Sequence, residues 1–225
     1  MWQPSDLFNL PLDAWVETAI KGWLVPNFRG FFQAVQAPIS FVLEWLDATL
    51  QAIPMVAFTI ALALVAWAVA SRGLAVFTLV SLVVVDLIGV WTQTMTTLAM
   101  ILTAVLFCAI VGVPLGIAAA RSDRFEKGLR PVLDIMQTIP PFVYLVPIVM
   151  LFGVGMTPGI IATIIFALPP IIRLTNLGIR SVPEDLIEAA YSFGSSPRQV
   201  LWEVQLPLAL RTIMAGLNQT LMLAL

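Results

Sequence analysis

The sequence predicts an all-α fold, a polytopic transmembrane helical bundle, and three observations predict it. Of 225 residues, 60% are hydrophobic and only 11 are basic and 13 acidic. With a mean hydropathy of +0.99, this lies outside the range of water-soluble globular chains. The charges also leave long apolar intervals. None falls between Asp47 and Arg72, between Asp134 and Arg173 or beyond Arg211, and Asp86 alone interrupts the run from Arg72 to Arg121. Finally, the basic residues beyond position 50 fall at alternate connections, as in a chain that threads a bilayer repeatedly.

A span needs about 20 mostly apolar residues to cross roughly 30 Å of hydrocarbon. This places helices near 52–70, 74–91, 97–120, 132–152, 158–178 and 208–225. Arg72 sits in the first turn between them. Arg121, Arg124, Lys127 and Arg130 fill the connection after the third, and Arg173, Arg180, Arg198 and Arg211 lie in or beside the segment after the fifth. Positively charged loops stay in the cytoplasm. The loops at 71–73, 121–131 and 179–207 are therefore expected inside and residues 1–50 outside.

Residues 1–50 carry two basic and five acidic side chains and lack a basic start followed by an apolar run, so they read as mature extracytoplasmic sequence. Phe31, Phe32, Val35, Ile39, Val42, Leu43, Leu46 and Leu50 recur near helical spacing, which predicts an amphipathic helix lying in the interface. Trp15, Trp23 and Trp45 suit the headgroup boundary. The last apolar run, 208–225, stops without flanking polar residues, and a C-terminal truncation is expected. Residues 51–225 form the transmembrane domain.

Without histidine and with one cysteine, the chain excludes His-ligated metal sites, Ser-His-Asp or Cys-His catalysis and an intrachain disulfide. No metal or cofactor is expected. No basic stripe exists to neutralise nucleic-acid phosphates.

One long polar stretch faces the cytoplasm in this topology, from Ser181 to Pro207. It reads as two short helices. Ser181 with Glu184, and Ser196 with Gln199, have capping-box spacing. Pro183 fits a first turn and Pro197 the first helical position. Gly194 between them suits a left-handed turn that reverses the chain. Leu186, Ile187, Ala189, Ala190 and Phe193 give the first helix an apolar surface, suited to a groove on a soluble partner. The physical pattern alone leaves open a helical loop lying on its own membrane domain.

Glu188-Ala189-Ala190, Gly194 four residues on, then Val204 and Leu206-Pro207 resemble the EAA signature of ABC importer permeases, with Val where Ile is usual. From about Trp91 to Leu225, including Gln137 to Pro147 and Phe166 to Pro170, the chain is similar to permeases of the glycine betaine and proline betaine uptake systems. The resemblance implies a type I ABC importer (MetI-like) permease fold, in a bacterial inner membrane. It implies partnership with a second permease copy as a homodimer, cytoplasmic ABC ATPase subunits and an extracytoplasmic solute-binding protein. Glu188, Ala189, Ala190 and Gly194 carry over as the ATPase-docking helix and its turn, and Leu206 and Pro207 as the junction returning to the membrane.

The sequence agrees with a non-catalytic subunit. A phosphate-binding P-loop needs Gly-Lys followed by Ser or Thr, whereas Lys21 and Lys127 are the only lysines and neither follows glycine. The seven tryptophans are scattered, so an aromatic cage for a quaternary ammonium ion is expected on the external partner.

Within the membrane, Asp86 is a candidate for the substrate path, because a buried carboxylate is costly unless paired or wetted. Its place near Trp91 also allows relief by water. Pro140, Pro141, Pro147, Pro169 and Pro170 predict kinks or unwound turns, and Gln137, Thr138 and Tyr144 beside the first cluster are the other pathway candidates. Gly112 and Gly116 predict a close-packing face, and Cys108 a small buried side chain. An ion-gradient-driven transporter or channel is the alternative. The single intramembrane acid and the capped polar hairpin weigh against it.

Overall fold

The computed structural model describes residues 25–225 together with Thr18 and Gly22; Trp15, Trp23 and much of the first half of the expected extracytoplasmic segment lie outside the described residues. The described chain is helical throughout. Its elements are α1 (Val25–Ala52), α2 (Met55–Val69), α3 (Arg72–Leu87), α4 (Trp91–Arg121), α5 (Asp123–Thr138), α6 (Pro141–Phe152), α7 (Met156–Arg180), α8 (Glu184–Ser192) and α9 (Pro197–Gln199). A π-helical turn (Val200–Gln205) then leads without interruption into α10 (Leu206–Ala224).

The centre of the bundle is the packing of α4 against α7, with α10 laid along α7. Apolar side chains gain little by leaving lipid for protein, so helices in a membrane associate through close van der Waals fit and small residues. Gly112 and Gly116 supply that fit. A Cβ on Gly112 would collide with Ile171. One on Gly116 would stand 2.8 Å from the Ile172 carbonyl oxygen and 2.5 Å from Thr175 Cβ. Pairing 112 with 171 and 116 with 175 makes α4 and α7 parallel. Gly178 facing Ala209, and Gly216 facing Ile171 and Leu174, make α10 antiparallel to α7. Cys108 is fully buried in this core with Ala167, Ile171, Ile172 and Ile213.

Two parallel helices in succession require a return path, and the chain provides it with a broken span. The helix expected near 132–152 is not one element. α5 and α6 meet at 98°, because Pro140 and Pro141 cannot donate the backbone bonds that would continue α5. α5 starts one residue after α4, with the Ser122 hydroxyl accepting from the Phe125 N–H at 3.3 Å and Asp123 and Glu126 in its first turn. Carboxylates there complement the positive end of the helix. Of this segment only α6, 12 residues or about 18 Å at 1.5 Å per residue, runs back toward the other end. The prolines further on behave differently. Pro147 stays inside α6, and α7 is unbroken through the buried Pro169 and Pro170, so the unwound turn expected there is absent.

α1 and α2 form a second bent pair, at 97°. Part of the amphipathic face read from the sequence meets protein: Ile39 and Leu43 are buried against the bundle, and Phe32 packs edge-on against Phe152 of α6 with ring centroids 5.2 Å apart. Trp45 is exposed. Single helices long and apolar enough to cross a membrane are α4, α7 and the run Pro197–Ala224, and the two bent pairs qualify only together. α2 and α3 pack chiefly on each other, and their outer faces, with Ile60, Val65, Trp67, Phe77 and Val80, are exposed and apolar.

Gly116→Val forces α4 off the Ile172 carbonyl. Overpacking of this kind costs about 1–3 kcal/mol, so thermal unfolding in detergent should fall by several degrees, at about 2–4 °C per kcal/mol for a chain of this size. Gly128→Ala is the control. Its Cβ meets nothing within 4 Å, and the melting temperature should hold or rise.

Candidate functional site

The hairpin 181–207 leaves the basic end of α7 with its second arm seated on the bundle, where Val200 and Leu201 are buried, and with α8 on its outer side. α8 carries Glu188 and Ala189 exposed and Ala190 half-buried. It ends in a Schellman motif, in which the Gly194 N–H donates to the Tyr191 carbonyl at 2.9 Å and the Ser195 N–H to the Ala190 carbonyl at 3.1 Å. The motif needs a left-handed residue, and Gly194 has φ +84°. The second arm opens on the capping box expected of Ser196 and Gln199. The Ser196 N–H donates to Gln199 Oε1 at 2.9 Å, and the Gln199 N–H to Ser196 Oγ at 3.4 Å, with Pro197 at the first helical position.

The other predicted capping box does not form. Ser181 is still helical and caps the C-terminus of α7, its hydroxyl donating to the Gly178 carbonyl at 2.9 Å. Pro183 is the N-cap of α8 rather than part of its first turn, and Glu184 and Asp185 face the helix start directly. The return to the membrane is also unlike a plain helix. The Leu206 N–H donates five residues back, to Leu201. This wider π turn accommodates Pro207, which has no N–H and crowds the carbonyl before it. Leu206 is half-buried and Pro207 exposed.

The hairpin presents more aromatic surface than its motif predicts. Phe193 is 90% exposed and Trp202 60%, and Tyr191 and Leu186 are exposed beside Glu188. Exposed aromatic residues on a capped, rigid protrusion are the groups that anchor protein interfaces.

A second cluster lies at the elbow between α5 and α6, where three of the four pathway candidates meet. The Ile135 carbonyl accepts from the Ile139 N–H at 3.2 Å, from the Thr138 hydroxyl at 3.3 Å and from the Tyr144 hydroxyl at 2.9 Å. Thr138 and Tyr144 thus brace the break. Gln137 accepts from Arg173 Nη1 at 2.7 Å, and the other arm of the same guanidinium holds Asp134 at 2.5 Å. Seven residues on, Arg180 binds Asp123 at 2.7 Å, Asn176 at 2.8 Å and the Ala119 carbonyl at 2.9 Å. In the sequence these two arginines count only as markers of topology. The sign of more was that Arg173 ends an uncharged run and lies two turns from Arg180. Asp86 is exposed on α3, and its carboxylate has no hydrogen-bond or ion-pair partner among the described residues.

Residues 112–225 match the family of the binding-protein-dependent transport system inner membrane component. The chain belongs to that family. This inner membrane component is 58% identical over 216 residues to the glycine betaine/proline betaine transport system permease protein ProW of Escherichia coli, covering 96% of this chain and 61% of that protein. It is 45% identical to the glycine betaine transport system permease protein OpuAB of Bacillus subtilis, over 90% of this chain and 72% of that one. It is 43% identical to the glycine betaine/carnitine transport permease protein GbuB of Listeria monocytogenes, over 96% and 78%. The chain therefore spans about three fifths of the length of the ProW relatives it matches.

The Asp86 carboxylate stands one residue before the end of α3 without a side-chain partner among the described residues, where it can reach toward the membrane boundary. Asp86→Asn should leave membrane assembly and solute uptake at parental levels, read by detergent-extracted yield and radiolabelled uptake; a loss of uptake with normal assembly would place Asp86 on the path.

Proposed function

We propose that this inner membrane component is the permease subunit of an ATP-driven importer for glycine betaine and proline betaine-type solutes, working as a homodimer with cytoplasmic ATPase subunits and an external solute-binding protein. The observation that carries the reading is the hairpin 181–207. It presents Glu188 and Ala189 exposed on a capped helix whose second arm is anchored in the bundle by Val200 and Leu201, in a sequence without a P-loop. The outward face of α8, with Leu186, Tyr191 and Phe193 exposed beside Glu188, supports a docking role for this hairpin.

In this reading Glu188, Ala189 and Ala190 form the face that docks on the ATPase, with small side chains admitting a close approach. Gly194 sets the angle between the arms. Leu206 and Pro207 pass displacement into α10, which runs on from the second arm without a loop. Basic residues at the α4–α5 junction, the end of α7 and the hairpin support placing that end in the cytoplasm and residues 1–50 outside. The substrate reading is supported by the three relatives described above, each of them a glycine betaine permease by name. Gln137, Thr138 and Tyr144 belong to this reading as residues that shape the path at the elbow, through the break they hold.

Reconstituted with a cognate ATPase and solute-binding protein, the chain should drive ATP-dependent uptake of radiolabelled glycine betaine. Gly194→Val should weaken ATPase co-purification roughly tenfold while insertion persists, since a left-handed L-residue costs about 1–2 kcal/mol and 1.4 kcal/mol is tenfold in affinity. Full ATP-driven uptake by that variant would count against the assignment.

A further inference from the structure

α5 is fastened to α7 at both ends. Arg180 reaches Asp123 in the first turn of α5, and Arg173 reaches Asp134 and Gln137 in its last turns. Seven residues make nearly two helical turns, so both arginines project from one side of α7. Between them the two helices are not tightly packed: a cleft of about 310 Å³ opens there, lined by Leu129, Leu133, Ile172 and Leu177. Apolar contact alone therefore leaves the direction of α5 poorly fixed. One ion pair would let α5 pivot about a point. Two pairs fix its position and its direction. Arginine suits the task because its planar fork holds two acceptors at once, and both arginines do so here.

We propose that Arg173 and Arg180 are positioning residues, a two-point clamp that makes α5 and the elbow at Ile139–Pro140 move with α7. The clamp rests on the coupling reading above for its purpose, because α7 is the helix that leads into the hairpin. A displacement of α7 at Ser181 then reaches the broken span directly, through side chains on the adjacent turns. Asp134 and Gln137 lie immediately before the break, so the second clamp point acts on the elbow itself. The Arg180 contact with the Ala119 carbonyl adds the end of α4 to the same unit.

The pairs are partly exposed, and such pairs add little to stability, so removing them should not unfold the chain. In lipid nanodiscs, spin labels on Gly128→Cys in α5 and Met156→Cys at the far end of α7 should give one narrow distance distribution. Arg173→Gln with Arg180→Gln should broaden it at least about twofold; an unchanged width overturns the clamp, whatever the chain transports. In the full transporter, with glycine betaine as the transported probe, Arg173→Gln should lower uptake per ATP hydrolysed about fivefold, the lower range of site-to-site coupling, while the ATPase still co-purifies. The swap Arg173→Asp with Asp134→Arg should recover most of that ratio. Parental uptake per ATP in Arg173→Gln, or an assembled swap that recovers nothing, overturns the proposal. A parental chain that binds no ATPase would instead strike the coupling reading, and the label distances would still decide the clamp.

Discussion

The structure depends on how closely α4 and α7 approach. Lipid is as apolar as the side chains it surrounds, so no hydrophobic force drives these helices together, and the contact has to be made by shape. Gly112 and Gly116 allow α4 to lie against Ile171, Thr175 and the Ile172 carbonyl, leaving no space for a methyl group. The other placements follow. α10 uses Gly178 and Gly216 to lie back along the same helix. The basic ends of α4 and α7 come level, so that Arg180 can reach the Ala119 carbonyl and cap orphan acceptors at the end of α4.

Parallel packing of α4 and α7 also explains the broken span. The chain has to return across the bundle between them, and it does so with a helix lying at the basic end followed by a short one running back. α5 is amphipathic, with Leu133 buried in the core and Asp123 and Asp134 paired with arginines of α7. α6 is uncharged and short. The 98° bend is the geometric cost of joining two helices that belong in different environments, and the Pro140-Pro141 pair makes it stable by removing the donors that would oppose it.

Much of this was legible in the residues. Charge-free runs predicted the apolar helices, glycines four apart predicted the tight crossing, and Gly194 with Ser196 and Gln199 predicted a capped reversal that the backbone reproduces. What escaped prediction depended on context that a local pattern does not contain. Ser181 has capping-box spacing to Glu184, yet α7 extends far enough to claim it as a C-cap, and spacing cannot say which helix wins a shared residue. Pro140-Pro141 and Pro169-Pro170 look alike in sequence, yet only the first pair breaks its helix. The second is buried, and the helix continues through it. The partners of Arg173 lie in a helix whose crossing angle is set by the bend, so their meeting was hidden until the bend was known.

From Pro197 to Ala224 the helix is continuous, 28 residues through the π turn and into the membrane, or on the order of 40 Å at 1.5 Å per residue. Gly216, lodged against Ile171 and Leu174, divides that length unequally, with roughly 28 Å before it and roughly 12 Å after it at 1.5 Å per residue. A rigid rod tilting about that contact would carry its Pro197 tip through roughly 0.5 Å per degree and its Ala224 tip through roughly 0.2 Å, so motion at the hairpin would be geared down inside the bundle.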